Sequence, residues 1–370
     1  MTGLDEKLRP ASAVADAVRR PERVRDWIVI GQPDVLAAQP PGQGRMAGRS
    51  LPLIDGRALR ASYAQARAMA EHPGVTLLWA YDSDLFEPVV GVISGLEYAL
   101  RNGARVASLS MGPPKAVAAL MRHDPDEPLN RATRAATDAG MVVVIAIGNY
   151  GPEEGVVNPW CADWTINVGA ADAKGTALAP FSARGRPGDT DRPTLVAPGI
   201  DVLTIHPGTR PKTDADLARE TGSPTFHDIV PPDLRDLHTV VSGTSFATPQ
   251  VAEMAGQIVW CLDHQRRLAQ AGWQKSVAVP LRGMPGFGRQ FPRLAGTLGP
   301  DIAVYPVEAF EGPMRGRMVK QILIDLARSV PGCLPHQIGA GFVHSAIIKA
   351  AFSDFEIPPT RIMAVKAFNA

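Results

Sequence analysis

The chain has 370 residues, 45% of them hydrophobic and 20% charged, with a formal net charge of +1. This is ordinary globular composition, long enough to bury a large core. With no basic block, it offers no basis for binding nucleic acid or an anionic membrane. The longest apolar run, Met141 to Ile147, is too short to span a bilayer. Cys161, Cys261 and Cys333 are widely spaced, giving neither a disulfide framework nor a metal-site spacing. Met1 to Arg20 mixes charges and alanines without an apolar signal region, so a cytoplasmic location is expected.

In chain order, Trp27 to Ile30 reads as a short buried strand, and Pro33 to Pro52, rich in Pro, Gly and Gln, as loop. Arg57 to Glu71 has helical spacing and stops before Pro73. A strand over Val75 to Tyr81 leads to a helix over Val89 to Arg101, closed by Asn102-Gly103. Arg105 to Leu109 reads as a strand and Pro128 to Ala139 as a helix. Met141 to Ile147 is a continuous apolar strand, as in a parallel sheet buried on both faces. Trp164 to Ala170 and Thr194 to Ala197 read as further strands. Helices are expected over Ser245 to His264, Val319 to Arg328 and Phe342 to Ala351. Strands alternating with helices predict an α/β fold with crossover connections. Two Pro- and Gly-rich stretches, 208–237 and 271–312, break the rhythm and read as surface insertions in a single domain, 1–370, whose first 55 residues diverge.

The chemistry concentrates at Val241-Ser242-Gly243-Thr244-Ser245-Phe246-Ala247-Thr248-Pro249, which runs into an apolar helix. Ser245 at a helix N-terminus meets free N–H groups and a dipole that favour developing negative charge. Gly243 permits a tight turn, Ala247 keeps the first turn slim, and Pro249 loses no helical bond there. Read alone, such a Thr-Ser before a helix is far more often a cap than a nucleophile.

It is not alone. The run resembles the serine signature of the subtilisin-like (subtilase) proteases, and other segments follow in the family's order. Ser110-Met111-Gly112 resembles its substrate-binding Ser-Leu-Gly. Ala146-Ile147-Gly148-Asn149 resembles its Ala-Ala-Gly-Asn. Phe181-Ser182 and Ala197-Pro198-Gly199 resemble its Phe-Ser…Ala-Pro-Gly, and Gly339-Ala340-Gly341-Phe342-Val343 the opening of its last helix. The resemblance covers roughly Val75 to Ala351. It implies a three-layer subtilisin-like fold, with a mostly parallel central sheet and helices on both faces. It also implies a serine endopeptidase acting through an acyl-enzyme on Ser245. Asn149 is the implied oxyanion donor, and Ser110, Met111, Gly112 and Gly148 line the implied peptide site. By itself, Gly148-Asn149-Tyr150-Gly151 is also a good turn. The expected partner is a peptide or protein substrate, added as a strand beside Ser110 to Gly112. No cofactor is implied, and no calcium-site pattern stands out.

The rest of the triad is degenerate. A serine nucleophile needs a general base, and the base an orienting carboxylate. The family order is Asp, His, Ser. Asp34 best matches the family aspartate, but its Thr-Gly is missing and it reads equally as a turn or cap residue. Pro41-Gly42-Gln43-Gly44-Arg45-Met46-Ala47-Gly48 resembles the family's histidine segment with Gln43 in the histidine's place. Glutamine takes up no proton at neutral pH. The other candidates before the serine are His72, His123, His206, His227 and His238; His264, His336 and His344 follow it and read as structural. The alternative expectation is therefore a pseudoprotease that holds peptides or a partner in an inactive cleft. A truncated gene product is a third.

Overall fold

The structure is a computed structural model that describes residues 7–9, 20, 22–39, 47–81, 83–205, 238–270, 277–280, 302–305 and 312–346. Gln43, His206, His227 and most of both insertions lie outside the described residues.

The strands are β1 (Leu8–Arg9), β2 (Val24–Gly31), β3 (Ser50–Leu51), β4 (Gly56–Ser62), β5 (Val75–Tyr81), β6 (Val106–Leu109), β7 (Val142–Ala146), β8 (Ile166–Ala171), β9 (Leu195–Pro198), β10 (Val202–Ile205), β11 (His238–Val241), β12 (Val277–Pro280) and β13 (Ile302–Tyr305). The helices are α1 (Pro33–Ala37), α2 (Tyr63–Glu71), α3 (Ser83–Arg101), α4 (Lys115–Leu120), α5 (Pro128–Asp138), α6 (Thr244–Gln270), α7 (Pro313–Leu326) and α8 (Pro335–Ile338).

β6, β7, β8 and β9 form a four-stranded, wholly parallel sheet in that order. Its strands are apolar on both faces, and each face has its own helices. Val142 and Val144 of β7 pack with Val251, Met254 and Ile258 of α6 and Val319 and Ile322 of α7. Val143 and Ile145 pack with Val89, Val90 and Ile93 of α3 and Leu129, Ala132 and Ala136 of α5. This is the expected three-layer α/β arrangement. No described helix is long and apolar enough to cross a membrane.

The N-terminal part departs from expectation. β5 does not extend the parallel sheet but joins a second, mixed sheet of order β1-β5-β2-β4-β3. β2 runs antiparallel to both β5 and β4. Residues 57–62, expected within a helix, lie in β4, paired with β2 from Val24↔Ser62 to Ile30↔Gly56. Ala and Arg tolerate either state, and seven cross-strand pairs over a buried Trp27–Leu59 contact surface decide it. Helix starts only at Tyr63, where Ser62 accepts from Gln65 N and Gln65 Oε1 accepts from Ser62 N. At the other end, Phe342 and Val343 were expected to open a helix. Phe342 instead bridges to Val196 and Arg328.

α3 and α5 link the two sheets through one core, which includes Ile28, Leu77 and Trp79 as well as Ile145. A buried polar contact reinforces this link. Glu127, 2% exposed, caps α5 by accepting from Asn130 N at 2.9 Å. It also accepts a short hydrogen bond from the Tyr81 hydroxyl at the end of β5. Burial pushes the Glu127 carboxyl up from 4.5 to about 7.

Between these two values the folded chain holds a proton that the unfolded chain has released. Stability therefore falls as pH rises from about 4.5 to about 7 and levels off above. Urea denaturation across that window should show Glu127→Gln losing this dependence, a difference on the order of a few kcal/mol between the ends of the window. Parallel slopes for the two proteins would contradict it.

Candidate active site

Three backbone segments converge where parallel strands end and a helix begins. β6 runs into Ser110-Met111-Gly112, β7 into Ile147-Gly148-Asn149, and α6 starts at Thr244. Ligands collect at such carboxyl ends in open α/β sheets.

The start of α6 is held tightly. Gly243 N donates to Gly199 O at 2.8 Å, and Gln250 Nε2 to Pro198 O at 2.8 Å. Gly199 is required by close approach: a Cβ there would lie 2.6 Å from the Ala170 Cβ and 3.0 Å from Gly243 O. Ser182 is wholly buried and its Oγ accepts from Ala170 N at 3.0 Å, which makes it a brace for β8 rather than a reactive group.

Ser245, half-buried on the first turn of α6, is cross-linked to the end of β6. Ser110 Oγ donates to Ser245 O at 2.8 Å, and Ser245 Oγ faces Ser110 O at 3.4 Å. Asn149 ties β7 to the same turn. Its Oδ1 accepts from Thr244 N at 2.9 Å and Thr244 Oγ1 at 3.0 Å. With Oδ1 occupied, Nδ2 is the end of the amide left to donate, at the start of a helix whose Thr244, Phe246 and Ala247 N–H groups are already bonded to Asn149 Oδ1 and Gly243 O. Gly148, at φ +105°, supplies the left-handed turn that brings Asn149 round.

A cavity of about 450 Å³ follows this junction. Ser110, Met111, Gly112, Gly148, Asn149 and Ser245 all border it. Asp84, Leu85 and Pro88, at the start of α3, also border it. Sequence reasoning missed two further residues. Asn158, wholly buried, donates from Nδ2 to both Met111 O (2.8 Å) and Ala146 O (2.9 Å), tying the two strand ends together. Tyr150 donates from its hydroxyl to Pro113 O at 2.5 Å. Only their place beside the Asn149 segment marked them. Cys161 and Cys261 are buried, and burial raises both thiols, which keeps them out of nucleophilic chemistry.

Asp34 does not reach this site. It lies in α1, just after β2, where Gln32 N donates to Gly74 O and Gly31 pairs with Val75 at the start of β5. The cleft lies beyond the other end of β5, next to α3. Seven residues at about 3.3 Å each put roughly 20 Å between them. Because β2 is antiparallel to β5, its carboxyl end points away from the cleft. The correction is topological: a strand-end aspartate approaches Ser245 only on a strand parallel to β6.

No histidine with a described side chain borders the cavity. His72 ends α2, its Nδ1 accepting from Gly74 N. His123 Nδ1 faces Pro159 O at 3.1 Å, its pKa lowered by burial. His238 lies in β11, His336 Nε2 pairs with Glu154 at 2.8 Å, and His344 Nδ1 accepts from Ala346 N.

A profile of the subtilase family matches residues 88–268, beginning after the mixed sheet. Serine protease AprX of Bacillus subtilis (strain 168) is 31% identical over 145 residues, 37% of this chain and 30% of the relative. Subtilisin Savinase of Lederbergia lenta is 30% identical over 170 residues, 46% of this chain and 47% of the relative. The chain thus spans about a third to a half of the length of these relatives. Among solved structures, the prenylagaramide maturation protease PagA (18% identity, TM-score 0.42) covers 71% of this chain and 67% of that one. The patellamide maturation protease PatA (20% identity, TM-score 0.41) covers 72% and 70%. Through residues 88–268, just under half of its length, the chain is thus similar to the subtilase family.

Proposed function

We propose that this chain cleaves peptide bonds by acyl transfer to Ser245. The observation that supports the reading is the orientation of Asn149: Thr244 occupies its oxygen, which leaves Nδ2 as the donor at the start of the helix that carries Ser245. A peptide laid along Ser110 to Gly112 presents its carbonyl carbon to Ser245 Oγ. As the C–O bond forms, the carbonyl oxygen becomes an oxyanion, stabilised by Asn149 Nδ2 and the Ser245 N–H. Collapse expels the amine and leaves the acyl-enzyme, which water then hydrolyses.

The proton on Ser245 Oγ must leave during attack, and the Ser110 carbonyl that it faces is no base. A general base outside the described cleft residues has to take it. The second reading is favoured by this same fact: without such a base the cleft binds extended peptides and does not cut them. Loss of the histidine alone costs a subtilisin about 10⁶ in turnover.

A fluorophosphonate probe separates the readings, because it reacts only with an activated serine. Cleavage predicts labelling of the wild type that disappears in Ser245→Ala. Well-folded protein that takes no label would reject the cleaving reading in favour of the binding one. Asn149→Ala should slow labelling by about 10²–10³; that magnitude is taken from the equivalent loss in a subtilisin. Unchanged labelling kinetics would remove Asn149 from the oxyanion site.

A further inference from the structure

α6 begins at Thr244 and carries Pro249 inside it. Its first bond of helical spacing runs from Ala247 N to Gly243 O, at 3.4 Å. Two positions further on, the α-helical pattern requires the N–H of residue 249 to reach Ser245 O. Proline has no N–H, and its ring crowds the carbonyl four residues back. The expectation that Pro249 loses no helical bond is therefore corrected. The bond it loses is the one to the carbonyl of Ser245.

A side chain from another element supplies the missing donor. Ser110 Oγ, just past the end of β6, donates to Ser245 O at 2.8 Å. A hydroxyl carries one proton, so this donation commits it. The Ser110 carbonyl faces Ser245 Oγ at 3.4 Å, and the two residues therefore meet twice. On the other side of Ser245, Asn149 Oδ1 accepts from Thr244 N at 2.9 Å. The backbone flanking Ser245 is thus fixed from two strand ends, β7 through Asn149 and β6 through Ser110. Holding both flanks sets the direction in which the Ser245 side chain leaves the helix.

We propose that the Ser110 hydroxyl is a positioning group for Ser245: it replaces the helical N–H that Pro249 lacks and so holds the serine at the cleft. The inference rests on the acyl-transfer reading above. Ser110 Oγ touches no reacting atom, and its effect passes through the Ser245 backbone. The bond is exposed in the free chain, so the effect is that of one hydrogen bond open to water.

The test is a double-mutant cycle of Ser110→Ala and Pro249→Ala, read as the rate of fluorophosphonate labelling at Ser245. With Pro249 in place, Ser110→Ala should slow labelling about three- to tenfold, the worth of one hydrogen bond. In Pro249→Ala the restored N–H donates to Ser245 O, and adding Ser110→Ala should leave the rate unchanged. Ser110→Thr keeps a hydroxyl and should keep the wild-type rate. A general structural role for Ser110 predicts the same loss in both backgrounds, and that result would overturn the inference. Labelling of Ser110→Ala at the wild-type rate would overturn it too. If Pro249→Ala does not fold, Ser110→Ala against Ser110→Thr decides, and equal slowing of the two rejects the role of the hydroxyl. Wild-type protein that takes no label would instead overturn the acyl-transfer reading, and the positioning role with it.

Discussion

The site depends on one junction, at which the first turn of α6 is fastened to two strand ends. Thr244 donates twice to Asn149 at the end of β7, and Ser245 exchanges contacts with Ser110 at the end of β6. These bonds link positions 95 and 135 residues apart in the chain. They convert a helix terminus, which is common, into a serine with an amide aimed at the space before it. Asn158 and Gly199 serve the same junction from beneath, one by joining the strand ends and the other by letting two backbones touch.

In the proposed reaction, the groups around this junction would serve the electrostatic half of acyl-transfer chemistry, while no histidine with a described side chain borders the cavity. The two halves are separable in physical terms. Oxyanion stabilisation needs fixed dipoles, which backbone and amide groups supply from a rigid scaffold. Proton transfer needs a group that titrates near the working pH. The parallel sheet with its helices supplies the first. The subtilase resemblance would place the second in the N-terminal part, where β5 joins a mixed sheet instead of the parallel one.

That replacement explains why the two ends of the chain differ in how well they could be read. Met141 to Ile147 announces a strand buried on both faces because nothing polar interrupts it, and it is so buried. Ala197-Pro198-Gly199 and Gly243 announce close backbone approaches, and the contacts are there. Residues 57–62, in contrast, have a pattern compatible with either period, and only pairing with β2 settles it. Asp34 sat one position pattern away from a known motif, yet strand direction, which no local pattern encodes, carried it to the far end of β5.

By itself, the amino-acid order determined the alternation of strands and helices from β5 onward, Ser245 at a helix start and the glycine turn that carries Asn149. Each rests on local chemistry: burial on both faces, a tight glycine turn, a helix N-terminus. Only the tertiary structure decided that β2 runs antiparallel, that Ser182 is a brace, and that the Tyr150 hydroxyl bonds Pro113. Those outcomes depend on which distant backbone a residue meets, and hydrogen bonds between segments far apart in the chain leave no periodicity to read.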